Sequence, residues 1–149
     1  MNNKIGSYKS ADTIGKSQID LILQVYDGAI GSLKSARAAY ESERLTDGRE
    51  QMDKAKRFVT HLYTTLNMEK GGEVAENLGK LYAYVISQSY VVQATKDLEM
   101  IDDMVTVLDN LRGGWRGLKD QQTESAAGGT SDASLEPASS GTHEFTTTA

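Results

Sequence analysis

From residue 17 to residue 118 the chain contains no proline, and its apolar residues recur every three or four positions. Proline inside a helix removes a hydrogen bond and clashes with the turn before it. A stretch this long without one, patterned at the helical period, leaves packed helices as the structure it can adopt. The single proline of the 149-residue sequence, Pro137, lies near its end. A chain of this length supports one hydrophobic core rather than two.

Four helical patterns follow in order. The first starts at Ser17, a good N-cap with Asp20 three residues on, and sets Ile19, Ile22, Tyr26, Ala29, Ile30, Leu33, Ala36 and Tyr40 on one face. Thr46, Asp47 and Gly48 read as a turn and cap. A second helix then carries Met52, Ala55, Val59, Leu62, Tyr63 and Leu66. Gly71 and Gly72 lack the spacing of a phosphate loop and follow a helix rather than a strand, so they read as the stop of the second helix and the hairpin into the third. The third helix carries Val74, Leu78, Leu81, Tyr82, Val85 and Val92. After a break near Thr95, Lys96 and Asp97, the fourth carries Leu98, Ile101, Val105, Leu108 and Trp115. Short connections force antiparallel neighbours, and the pattern predicts an all-α, up-down-up-down four-helix bundle over residues 17–119.

The two ends differ from this body. Residues 1–16 are polar and glycine-containing and read as a flexible arm anchored by Ile5 and Tyr8. Residues 120–149 are rich in Ser, Thr, Gly and Ala, too poor in apolar surface to offset chain entropy, and are expected to be disordered. They hold five acids and no Lys or Arg, which leaves residues 1–119 neutral within a chain of net charge −5. A neutral body has no basic stripe for a phosphate backbone, so nucleic acid is excluded as a partner. No cysteine, no secretory leader and no apolar run near the ~20 residues of a membrane helix point to a soluble protein of a reducing cytoplasm.

The apolar stripes are wider than a bundle needs. Leu21 and Val25 flank the first, Phe58 the second, and Ile86 and Tyr90 the third, while Met100, Met104, Val107 and Leu111 widen the fourth. Contiguous excess of this kind marks an interaction surface, and methionine repacks easily against varied shapes. The sharper reading is a groove for an amphipathic helix of another protein. The alternative is a structural helical subunit whose excess apolar face is a permanent oligomer interface.

Groups for chemistry are few. His61 is the lone histidine of the bundle, and Phe58 stands where a Glu-x-x-His metal motif would need its carboxylate. The acids Glu69, Glu73, Glu76, Asp102 and Asp103 read as solvated helix surface, with a carboxylate-metal bundle enzyme as the weakest of three readings. No catalytic, metal or cofactor residue is assigned, and the expected protein is not an enzyme.

The segments "LILQVYDGAI" at 21–30, "LNMEKGGEVAENLGKLYAYV" at 66–85 and "VLDNLRGGW" at 107–115 resemble the flagellar secretion chaperone family FliS, over roughly residues 5–118. The resemblance implies an antiparallel four-helix bundle of the bacterial cytoplasm that binds the disordered C-terminal region of flagellin, largely as helices, and prevents polymerisation before type III export. It implies no cofactor. It admits contacts to export-gate or regulatory proteins and a homodimer when no partner is bound. By motif position Tyr8 matches the family's N-terminal tyrosine, and Ile22, Tyr26, Asp27 and Gly28 match its first-helix segment. Ile5 and Tyr8 then act either as a displaceable lid or as a permanent staple. Partner contacts are expected at Ile5, Tyr8, Ile22, Val25, Tyr26, Phe58, Leu62, Ile86, Tyr90, Met104 and Leu111. Two departures stand out: "KSQIDLI" lacks the family's usual proline at the first helix, and "RGGWRG" at 112–117 places three glycines where the last turn of the fourth helix is expected to fray.

Overall fold

The computed structural model describes residues 17–127, with side chains through Thr123. Four helices follow one another: α1 (Gln18–Glu41), α2 (Leu45–Thr64), α3 (Met68–Thr95) and α4 (Leu98–Ala127). α1 packs against α2 and α4, and α3 packs against the same two, which closes the up-down-up-down ring. α1 and α2 make the most extensive interface, and α3 and α4 meet least. α1 starts at Gln18, and α4 runs on to Ala127, past residue 119, after which the tail is expected to begin.

Local chemistry sets each boundary. The Ser17 hydroxyl accepts from the Asp20 N–H at 3.1 Å, while the Asp20 carboxylate accepts from the Ser17 N–H at 3.2 Å, the reciprocal capping box expected there. The first reversal occupies residues 42–44, with Glu43 left-handed at φ 62°. It does not use residues 46–48, which lie inside the first turn of α2. Gly48 is needed there for a different reason: a Cβ would come within 2.5 Å of the Tyr40 ring, so the glycine allows close helix approach instead of making a turn.

The second reversal also precedes the glycines assigned to it. α2 ends at Thr64, the Thr65 hydroxyl takes the His61 carbonyl at 2.9 Å, and the Asn67 carboxamide caps α3 by accepting from the Lys70 N–H at 2.9 Å. Asn67 is a strong N-cap, and it starts the helix before the glycine pair is reached. Gly71 is buried and helical, whereas Gly72, at φ 55° and ψ −130°, kinks α3 one turn in. The third reversal lies where expected: Lys96 is left-handed, and Asp97 accepts from the N–H groups of Glu99 and Met100.

α4 does not stop at its glycines. Trp115 and Leu118 are both buried, and their burial holds the helix through Gly113, Gly114 and Gly117. A buried indole removes on the order of 200 Å² from water, enough to outweigh the ~1 kcal/mol cost of each glycine.

The buried stripe of α4 is Ile101, Met104, Leu108, Trp115 and Leu118. Met104 therefore belongs to the core, while Val105, expected there, is half-buried. At 100° per residue Val105 shares its side of the helix with Arg112 and Asp102, which pair with α1 at the rim and hold that side outward. Tyr63 and Leu81, also expected in the core, are exposed.

At the centre three polar groups from three helices meet. The Tyr26 hydroxyl lies 2.5 Å from that of Tyr82, and the Trp115 indole N–H donates to Tyr26 at 3.1 Å. Burial, reinforced by the facing hydroxyl of Tyr82, pushes the Tyr26 phenol well above its ordinary value, and burial pushes Tyr82 up to about 12.

Candidate partner-binding surface

The expected contact residues separate into three groups. Tyr26, Leu62 and Met104 are core side chains, at 0%, 4% and 1% exposure, which corrects the expectation that they line a groove. Tyr26 is held by its hydroxyl network. Leu62 repeats the buried stripe of Ala55 and Val59, and Met104 follows the rotation of α4 described above. Ile22, Val25, Phe58, Ile86 and Leu111 are half-buried against the core. Phe58 is partly covered because its ring lies over Gly28, where a Cβ would come within 2.6 Å of it. Only Tyr90 stands largely free, at 59% exposure, with the Lys56 ammonium 3.9 Å from its ring centre. Ile5 and Tyr8 lie outside the described residues.

The exposed apolar side chains concentrate on α3 and its junction with α2. A groove of about 440 Å³ opens between these helices, lined by Tyr63, Thr64 and Leu66 of α2 and Met68, Glu76, Gly79, Lys80 and Ala83 of α3. Gly79 forms part of its floor, with Leu66 and Tyr63 just beyond where a Cβ would sit. The polar groups Thr64, Glu76 and Lys80 stand among these apolar walls. Towards the far end of α3, Asp53 on α2 accepts from the Gln93 amide at 2.6 Å and fixes the seam beside Tyr90.

Beyond the groove, α3 presents Leu81, Tyr84, Tyr90 and Val91 to solvent. Residues 81–95 contain no charged side chain, although a quarter of the whole chain is charged. Depletion of charge with enrichment in tyrosine is the composition of an interface core, not of a solvated helix face. Met100, Val107 and Leu111 of α4 are half-buried against the core, and α3 and α4 form the least extensive of the four interfaces. Neither Tyr63, Met68 nor Tyr84 was expected at the site. The charge-free run was readable in the sequence and is the signal that would have pointed to α3.

Among the described residues no three His, Cys, Asp or Glu side chains are grouped to hold a metal, and His61 is exposed on α2. No described helix is long and apolar enough to cross a membrane.

Residues 1–122 match the sequence model of the family described as "Flagellar protein FliS". The chain belongs to the FliS family. It is 31% identical over 98 residues to flagellar secretion chaperone FliSB of Pseudomonas aeruginosa, covering 66% of this chain and 78% of that protein. It is 32% identical over 97 residues to flagellar secretion chaperone FliS of Salmonella typhimurium, covering 64% and 72%. A solved structure described as a flagellar chaperone from bacteria superposes with a TM-score of 0.67 at 22% identity, over 79% of this chain and 98% of that one, and shares its fold. The segments that carry the FliS resemblance touch one another here: Tyr26 meets Trp115, and Asp27 pairs with Arg112 at 2.6 Å. These residues hold α1 to α4, while the segment at 66–85 supplies Tyr82 to the same network and Leu66, Met68, Gly79 and Ala83 to the groove.

Proposed function

We propose that this protein is a cytosolic export chaperone that holds the C-terminal segment of flagellin in helical form along α3, between the α2/α3 groove and the α4 shoulder. The observation that carries this reading is the charge-free, tyrosine-bearing face of α3 in a bundle of the FliS family. A chain segment that packs inside a filament is amphipathic and exposes its apolar side before assembly. Tyr63, Leu66, Met68 and Ala83 offer that side an apolar groove, Tyr84, Tyr90 and Val91 add exposed apolar surface elsewhere on α3, and Glu76 and Lys80 meet its polar edge.

No bond is made or broken in such a cycle, and no nucleotide or metal enters it. Ordering a disordered segment costs about 2–5 kcal/mol of the gross interaction energy, which keeps affinity moderate and release feasible at the export machinery. Masking the segment also removes it from polymerisation until it is handed on.

Titration with a peptide of the host's flagellin C-terminus, followed by circular dichroism, tests the proposal. Saturable helix induction at micromolar peptide is expected, lost when Gly79→Leu fills the groove and when Tyr90→Glu places a charge on α3. The absence of any saturable signal with the folded wild-type protein would overturn it.

A further inference from the structure

The surface beside the groove and the far end of the chain carry opposite charge. From Lys54 to Met68 there is no Asp or Glu, and Lys54, Arg57, His61 and Thr64 recur three, four and three residues apart along one exposed side of α2. Thr64 also lines the groove, so this basic side borders it directly. Among the described residues Lys54, Arg57 and Lys80 form no ion pair. Residues 128–149 hold Asp132, Glu136 and Glu144 and no Lys or Arg, and their large apolar side chains are Leu135 and Phe145.

Topology brings the two together. Successive helices reverse direction, so α4 runs towards the end of the bundle where α2 gives way to α3, the end from which the groove starts. The Asp20–Lys119 pair, at 2.7 Å, sets residue 119 level with the start of α1, at that same end. Phe145 lies eighteen residues beyond Ala127. That length of chain reaches up to ~60 Å when extended, against ~22 Å for the stretch of α3 from Met68 to Ala83.

We infer that residues 128–149 dock on their own bundle, with Phe145 in the α2/α3 groove and the three acids beside Lys54, Arg57 and Lys80. An aromatic ring suits this groove: Gly79 leaves its floor open, Tyr63 offers a ring edge and Met68 a thioether. Glu144, the neighbour of Phe145, then comes beside Lys80 at the rim. Glu76, one turn before Lys80, opposes an acid there and keeps the contact weak. Tethering offsets that weakness. A Gly- and Ser-rich linker of this length holds its end at an effective concentration on the order of millimolar, so a contact too weak to persist between separate molecules is populated within one.

The contact stands apart from the proposed function, whereas its consequence, competition with the exported subunit for the groove, rests on that function. A groove closed for half to nine-tenths of the time binds its partner about twofold to tenfold more weakly.

The chain has two phenylalanines, Phe58 and Phe145, so fluorine NMR of the full chain labelled with 4-fluorophenylalanine reads the contact directly. With no flagellin present, the Phe145 signal should be displaced from that of a free peptide of residues 140–149, by an amount independent of protein concentration. It should move towards the peptide value in Gly79→Leu, which fills the groove, and in Lys54→Glu/Arg57→Glu, which reverses exposed charges without touching the core. The Phe58 signal, from the seam with α1, reports that the bundle stays intact. A wild-type Phe145 signal at the peptide value overturns the inference. So does a displacement that grows with concentration, which makes the contact intermolecular, or one that either variant leaves unmoved while keeping wild-type helicity. If Gly79→Leu loses helicity, the charge-reversed pair decides. Phe145→Ser should tighten binding of a flagellin C-terminal peptide about twofold to tenfold. A displaced Phe145 signal with unchanged peptide affinity overturns the competition, and a displaced signal in a protein that binds no flagellin peptide overturns the proposed function while the contact stands.

Discussion

The Trp115 indole donates to the Tyr26 hydroxyl at 3.1 Å and thereby joins the late part of α4 to α1 through the centre of the bundle. Tyr26 also shares a hydrogen bond with Tyr82, so its oxygen is the hub of a network drawn from three helices. Removing the hub strands both neighbours, whereas removing Tyr82 strands only one. Tyr26→Phe should therefore destabilise by about 2–4 kcal/mol and Tyr82→Phe by about 0.5–1.5 kcal/mol in urea titrations. Equal costs would mean that Tyr26 is not the hub.

The same network sets the alkaline limit. Both phenols ionise less readily in the folded state: Tyr82 is pushed up to about 12 from an ordinary 10.0 by burial, and Tyr26 is raised further by burial and by Tyr82. An acid whose folded pKa is raised contributes full stability below its unfolded pKa, and that stability is lost as pH rises through the folded value. Unfolding free energy should fall steeply above pH about 10, where the phenols of the unfolded chain ionise and the buried pair does not. Asp20 behaves in the opposite sense. Its hydrogen bond to Lys119 lowers its pKa below 3.8, so its contribution is present above that value and fades as pH falls through the folded one. Urea titrations of wild type and of Tyr26→Phe/Tyr82→Phe across the alkaline range check the first claim, because the double variant should show a flatter limb.

A ladder of ion pairs fixes how α4 lies along α1. Asp20 pairs with Lys119 at 2.7 Å, Asp27 with Arg112 at 2.6 Å and Arg37 with Asp102 at 2.7 Å. The rungs advance seven and ten residues up α1 while they descend seven and ten residues down α4, the signature of one antiparallel register. Their side chains are largely in solvent, so the ladder selects alignment more than it stabilises. A double-mutant cycle of Asp27→Asn and Arg112→Gln should give a coupling below about 1 kcal/mol that shrinks as salt is raised.

What could be read from residues alone follows from which interactions are local. The capping box at Ser17 and the helical periods are local, and they appear where the sequence places them. Glycine is ambiguous without its neighbours. Gly48 and Gly71 read as turns, yet the first makes room for the Tyr40 ring and the second lies buried within α3. Met104 and Val105 sit one residue apart, and their neighbours on other helices separate them: Met104 shares the buried side with Ile101, Leu108 and Trp115, and Val105 the side where Asp102 and Arg112 pair with α1. The candidate surface was legible in part. Tyr90 stands out in the sequence as surplus apolar area, but a helical wheel does not say how far neighbouring helices wrap around a stripe, so the burial of Tyr26 and Leu62 is not legible from it. Two of the family segments meet at the α1–α4 joint, whereas the one at 66–85 supplies most of the groove lining, so a family motif alone does not separate core from surface.

Gly28 of α1 should respond to alanine with the opposite sign from Gly113 and Gly117 of α4. At Gly113 and Gly117 the backbone is helical and an added Cβ would meet nothing within 4 Å. Alanine there reduces the freedom of the unfolded chain without a clash, and each substitution should stabilise by about 0.4–1 kcal/mol. At Gly28 the added Cβ falls 2.6–2.9 Å from three atoms of the Phe58 ring, inside the most extensive interface of the bundle. The ring must move off the core, and Gly28→Ala should cost about 1–3 kcal/mol despite the gain in helix propensity. The combination Gly28→Ala/Phe58→Leu tests the cause: if the clash is with the ring, the smaller side chain recovers part of the loss that Gly28→Ala inflicts. Thermal melts of the four variants decide it, and a stabilising Gly28→Ala would show that α1 and α2 are further apart than their packing here requires.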